Sequence, residues 1–189
     1  MDPSNLKPIV EALLMASDQP LRLDRLVEIL GDADSTQSRN EIAAAVAALQ
    51  ADYAGRGVEL AEVASGFRFQ VRAEFAPWLS RLHEEKPPRY SRAVLETLAL
   101  VAYKQPITRA EIEAVRGVTV STQIVKTLLD RQWVKVIGHK DVPGRPALYA
   151  TTRQFLDYFN LKTLDALPSL HVIKGDEVAN RELEFREFD

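Results

Sequence analysis

Apolar residues recur along this chain at two alternating periods, and their order outlines the architecture. Ile9, Ala12, Leu13 and Ala16 stand at i, i+3, i+4 and i+7, the spacing that gathers side chains on one face of a helix. Gln19-Pro20 then breaks the pattern, because proline lacks an N–H and pushes its predecessor out of the helical region. Leu23, Leu26, Val27 and Leu30 predict a second helix, and Ile42, Val46, Leu49 and Tyr53 a third. The period then falls to two. In "GFRFQVR", Phe67, Phe69 and Val71 alternate with Arg68, Gln70 and Arg72, and Ser65-Gly66 is the turn that joins this strand to "VELAEV".

The same order returns 86 positions later, where "LETLALVAYKQPITRAEIEAVRG" lies over "IVEALLMASDQPLRLDRLVEILG" with Gln-Pro and the closing glycine in register. Leu95, Leu98, Ala99 and Ala102 take the places of the first stripe. Thr108 with Glu111 forms a capping-box pattern ahead of Ile112 and Val115, and Gly31 and Gly117 stand where a helix end favours positive φ. Ile124, Val125, Leu128 and Leu129 line a third helix that Ser121 is placed to cap. "WVKVIG" and "ALYATT" are the paired strands that follow.

Three short helices with a β-hairpin attached describe a winged helix, so the expected fold class is mainly α with small β-hairpins (α+β), built as tandem winged-helix domains. The first domain is set at residues 1–83 and the second at 91–167. A semi-rigid spacer at 84–90 contains Pro87-Pro88, and Ser91 caps the helix after it. Residues 168–189 form an acidic tail without apolar periodicity, expected to be flexible.

Charge divides the chain unevenly. Residues 1–83 carry 8 basic and 12 acidic side chains, residues 84–164 carry 13 and 8, and residues 165–189 carry 3 and 7. The second domain is therefore the basic one. Cysteine is absent, which excludes disulfides and thiolate chemistry and fits a reducing, cytoplasmic setting. The first 20 residues read neither as a signal peptide nor as a membrane span, since Asp2 and Glu11 interrupt them.

Catalytic chemistry finds little support. His83, His139 and His171 are isolated, and no H-E-x-x-H, G-x-S-x-G or phosphate-binding loop is present. The expectation is no enzyme, no cofactor and no metal. The stretch "VIGHKDVPGRPALYATT" holds Gly138, Lys140, Pro143, Gly144, Arg145 and Pro146 between its strands, and reads as a phosphate cradle, a DNA-touching wing or a stiff turn. The third helix of the first copy, "NEIAAAVAALQADY", contains Glu41 and Asp52 and no basic residue, which suits a DNA reader poorly. Its alanine face permits close helix approach, and Ala44, Ala48 and Tyr53 are assigned to a dimer interface. The second copy offers Gln123, Lys126, Arg131, Lys135, Lys140 and Arg145, enough for weak phosphate contact.

"SRAVLETLALVAYKQPITRAEIEAVRGV" followed by "KDVPGRPALYATTRQFLDYFNLKTLDALP" resembles the signature region of segregation and condensation protein B, the ScpB family of bacteria. The resemblance covers about residues 91–168. It implies a non-catalytic, homodimeric subunit of the bacterial SMC condensin complex that binds the kleisin ScpA, and through it an SMC ATPase, in chromosome condensation, segregation and cell division. The implied setting is cytoplasmic and nucleoid-associated, with no membrane and with DNA contacted at most weakly or indirectly. Arg145, Trp133, Tyr149 and Lys140 are the expected partner contacts, although aromatic residues at strand positions also pack inward. The other reading is a winged-helix DNA-binding transcriptional regulator.

Overall fold

Helix α1 (Leu6–Ala16) tolerates Pro8 because a proline in the first turn forfeits only an N–H that has no partner within the helix. It packs with α2 (Leu23–Leu30) and α3 (Thr36–Asp52) around Val10, Leu14, Leu26, Val27, Ile42, Ala45, Val46 and Leu49. A computed structural model of the chain describes residues 6–30, 36–82 and 90–168. Gly31, the Pro87-Pro88 spacer, His83, His171 and the tail beyond Pro168 lie outside the described residues.

The stripes expected on α2 and α3 face this core, but that of α1 is displaced. Val10 and Leu14 are the buried residues and Leu13 packs partly on the same core, whereas Ile9, Ala12 and Ala16 line an open depression with Pro8 on the outer side. The physical reason is that α1 is apolar around much of its circumference, so spacing alone does not choose the inward side.

Strands β1 (Val58–Val63) and β2 (Gly66–Val71) pair antiparallel through the two-residue turn Ala64-Ser65, so Gly66 opens β2 instead of closing the turn. Phe67 and Phe69 pack on the core as the alternation requires, while Val71 ends exposed. The base of the hairpin is sewn to the segment before α2, where Leu21 N–H donates to Phe67 O (2.9 Å) and Phe67 N–H donates to Leu21 O (2.8 Å). Gly66 sits within that close approach at φ +136°, and a Cβ there would lie 2.4 Å from the Leu21 carbonyl. A 3-10 turn (Ala73–Phe75) and helix α4 (Ala76–Leu82) follow, with Trp78 and Leu82 exposed.

The second half repeats this order, and side chains cap its helices. Ser91 caps α5 (Arg92–Lys104), Thr108 and Glu111 complete a capping box on α6 (Arg109–Arg116), and Ser121 caps α7 (Thr122–Asp130). Each such side chain satisfies an otherwise orphaned N–H, worth about 1 kcal/mol. Gly117 adopts the left-handed conformation, φ +72°, after α6. The wing is formed by β4 (Val134–His139) and β5 (Ala147–Thr151), and a two-residue strand β3 (Ile107–Thr108) adds to β5, giving the order β3-β5-β4. Gln105 joins α5 to this sheet, its Oε1 accepting from Thr151 N–H (2.7 Å) and Thr151 Oγ1 (3.0 Å). Helix α8 (Arg153–Tyr158), capped by Thr152, closes the unit.

Val94, Leu98, Val101, Ala102, Ile107, Ile112, Val120, Leu128, Trp133 and Phe155 form a second core, separate from the first. Val115, expected inward on α6, is half exposed. The chain is thus mainly α with small antiparallel hairpins, two winged helices in series. Direct bonds also join the halves. The β1–β2 turn meets the end of α8, where Ala64 N–H donates to Leu161 O (3.1 Å) and Ser65 N–H to Asp157 Oδ1 (2.9 Å).

Candidate partner-binding site

The loop between β4 and β5 is held by its own backbone. Lys140 N–H donates to Pro146 O (2.9 Å), Val142 N–H to Lys140 O (3.0 Å) and Arg145 N–H to Val142 O (2.9 Å). Gly144 and Arg145 take successive positive φ angles, +83° and +39°. Glycine does so freely, but arginine at positive φ is strained, and such strain persists only where the surrounding structure enforces it. The loop is therefore a rigid projection with Arg145 exposed at its tip and Val142 exposed beside it. A register shift between Val136 and Gly138 bends β4, and both Val136 and Ile137 are about half exposed. An exposed arginine beside the exposed Val142 combines a charged fork with apolar area, a pairing suited to protein contact.

Lys140 is engaged within the chain. Its Nζ lies 2.5 Å from Glu111 Oε1, while Glu111 Oε2 accepts from Thr108 N–H and Thr108 Oγ1, both at 2.8 Å. The ammonium of Lys140, followed by the Thr108 backbone and hydroxyl bonds, holds the Glu111 carboxyl at about 2 against an ordinary 4.5. The pair fastens the wing to the start of α6.

Tyr149 is half-buried on the central strand, opposite Ile107 on one side and Val136 on the other, and it packs against the second core. Trp133 departs furthest from the expected contact set. It is 2% exposed, with the rings of Tyr158, Tyr90 and Phe159 at centroid distances of 4.7, 4.9 and 5.6 Å. The ring, one residue before β4, is turned inward and belongs to the second core. Of the four residues, Arg145 and Lys140 stand on the wing loop, whereas Tyr149 lies on β5 and Trp133 in the second core.

In the first half, Ala44 is exposed on α3 and Ala48 is half-buried. Tyr53 is committed locally, its hydroxyl bonded to Glu11 and its ring 4.8 Å from that of Phe69. That bond, followed by desolvation, raises the Tyr53 hydroxyl above its ordinary range. The outer face of α1, with Pro8, Ile9, Ala12 and Ala16, supplies apolar surface outside the first core, and Leu13 stands at its edge, packed partly on that core. Among the described residues no three His, Cys, Asp or Glu side chains are grouped to hold a metal ion. No helix among them is long and apolar enough to cross a membrane.

Comparison with known proteins adds the assignment. The family described as segregation and condensation complex subunit ScpB matches residues 8–170. The chain belongs to the ScpB family. It is 56% identical over 170 residues to the segregation and condensation protein B homolog of Coxiella burnetii, covering 90% of this chain and 81% of that protein. With segregation and condensation protein B of Syntrophotalea carbinolica it shares 48% identity over 172 residues, covering 90% and 84%. A crystal structure of a dimer of the ScpB N-terminal domain complexed with an ScpA peptide is similar at 32% identity, covering 46% of this chain and 95% of that one, with a TM-score of 0.36.

Three features of this ScpB-family chain escaped the sequence pattern. The outward face of α1 is masked by its own apolarity. The strain at Arg145 is a backbone property; its only sequence signal is Gly144 immediately before it. The bonds between Ser65, Arg68 and the end of α8 join residues about 90 positions apart, for which no local periodicity exists.

Proposed function

We propose that the chain acts as a non-catalytic subunit of a bacterial SMC condensin complex, binding the kleisin ScpA as a homodimer and supporting chromosome condensation and segregation. The observation that carries this reading is the family match, which spans both winged helices and not one motif. The domain limits proposed are 1–83 for dimerisation, 84–90 as linker, 91–167 for kleisin binding and 168–189 as tail. The setting proposed is the cytoplasm, in association with the nucleoid.

Arg145 is the central kleisin contact, with Lys140 and Tyr149 beside it, because it is exposed on a loop whose shape is set in advance. Ordering such a loop on binding costs less than ordering a flexible one. The dimer contact involves Ala44, Ala48 and Tyr53 together with the apolar outer face of α1, whose burial would remove Ile9 and Leu13 from water. The family match favours this reading over a DNA-binding regulator.

Purified chain mixed with the kleisin of the same organism tests the proposal by calorimetry and light scattering. A saturable complex and a dimeric mass are expected. A monomer that ignores the kleisin but binds duplex DNA with sequence preference at physiological salt would replace it by the regulator reading.

A further inference from the structure

The first wing does something that neither the kleisin contact nor the dimer requires. Its turn and strand β2 together present three donors to one small area on the second domain. Ala64 N–H reaches Leu161 O at 3.1 Å and Ser65 N–H reaches Asp157 Oδ1 at 2.9 Å. Arg68 Nη2 reaches both Asp157 O (2.8 Å) and Asn160 Oδ1 (2.6 Å). Glu62 and Lys162 form an ion pair at the edge. All four acceptor groups, on Asp157, Asn160 and Leu161, stand at or just beyond the C-terminal end of α8, where helix carbonyls lack intrahelical partners and a cation is favoured.

Two details argue that the fit is built and not incidental. The Asp157 side chain is buried although it carries a carboxylate, and the hydrogen-bond donor it meets is the Ser65 amide from the other half of the chain. A buried charge without such a donor is costly. The wing is also held at its own end, since the Leu21–Phe67 bonds and the close approach at Gly66 fix the turn on the first core. A rigid donor set thus faces a matching acceptor set.

We propose that the first wing is the docking surface for the second domain of the same chain, a polar clasp that makes the two winged helices one body. The consequence is geometric. With the clasp closed, the wing loop bearing Arg145 stands at a fixed span and angle from the first domain. With few apolar groups in the contact, the clasp opens at modest cost compared with unfolding either core.

The chain has no cysteine, so paired spin labels are introduced cleanly. Labels at the exposed positions Ala51→Cys on α3 and Gln123→Cys on α7 report the distance between the halves by pulsed electron resonance. The labelled chain is diluted into excess unlabelled chain to isolate distances within one molecule. One narrow distance is expected, broadened by Arg68→Glu and by Asp157→Ala while circular dichroism stays native. A narrow distance that survives both substitutions, a broad distance in the unsubstituted chain, or a narrow peak that vanishes on dilution would each overturn the proposal.

Should either variant misfold, hydrogen exchange on the unsubstituted chain decides. The Ala64 and Ser65 amides should exchange roughly tenfold or more slowly than an open turn. Exchange at the open-turn rate refutes the clasp.

Discussion

Replacing Trp133 with alanine separates a core residue from a contact residue with one substitution. The ring is the largest fully buried side chain among the described residues, and it is bracketed by Tyr90, Tyr158 and Phe159. Truncating a buried tryptophan costs about 3–5 kcal/mol, the loss of transfer free energy plus the cavity left behind. The three ring contacts place the value towards the upper end, since aromatic pairs contribute about 0.5–1.5 kcal/mol beyond the area they bury. The neighbouring backbone bonds, Trp133 N–H to Leu128 O and Thr152 N–H to Trp133 O, both 3.1 Å, do not depend on the ring and soften the loss slightly. A net cost of about 4 kcal/mol in a unit of this size lowers its melting temperature by roughly 16–32 °C, at about 4–8 °C per kcal/mol.

Scanning calorimetry on the full chain is the assay, with near-ultraviolet circular dichroism to follow loss of packing. The second winged helix should melt early while the first keeps its transition. Kleisin affinity measured below the new melting temperature should change little. An unshifted transition together with lost kleisin binding would refute the reasoning and return Trp133 to the contact surface.

Arg145→Glu should leave stability within about 0.5 kcal/mol, as surface changes usually do, yet weaken kleisin binding roughly tenfold or more in calorimetric titration. Arg145→Gly should relieve the positive-φ strain and slightly raise the melting temperature while still weakening binding, which separates the strain from the contact. Gly66→Ala should cost more than about 2 kcal/mol in chemical denaturation, because its Cβ meets the Leu21 backbone and its φ of +136° is hostile to side chains. Glu111 has a folded-state pKa depressed to about 2 from 4.5, so its stabilising contribution is present above pH 4.5 and is lost as the pH falls through the interval down to about 2. Acid denaturation followed by circular dichroism should therefore begin less steeply in Glu111→Gln, and an unchanged profile would show that the Lys140 pair does not anchor the wing.

Local chemistry made much of the fold legible. Ser91, Ser121 and the Thr108–Glu111 pair announce helix starts because their side chains answer N–H groups only a few residues away. The two hairpins followed from alternation, and the stripes of α2 and α3 from residues whose opposite faces are polar. Strand β3 was not visible, since two residues carry no period and their pairing with β5 depends on the sheet already being in place. At the candidate site, the sequence identified the stiff loop and its arginine, but not that Lys140 is already paired or that Trp133 faces inward.

What the sequence determined by itself, then, is whatever short-range sterics, capping and periodicity decide: two helical units, their wings and an uneven charge. Only the tertiary structure decided which side of α1 is spent on the core, because Val10 and Ile9 are equally apolar and the choice rests on what α3 presents to them. The joining of the first wing to α8 was decided there too. A hydrogen bond between Ser65 and Asp157 depends on the positions of two whole domains, and neither residue differs locally from a solvated one. Short-range preferences act before the chain has a shape, whereas burial and long-range pairing exist only once it has one.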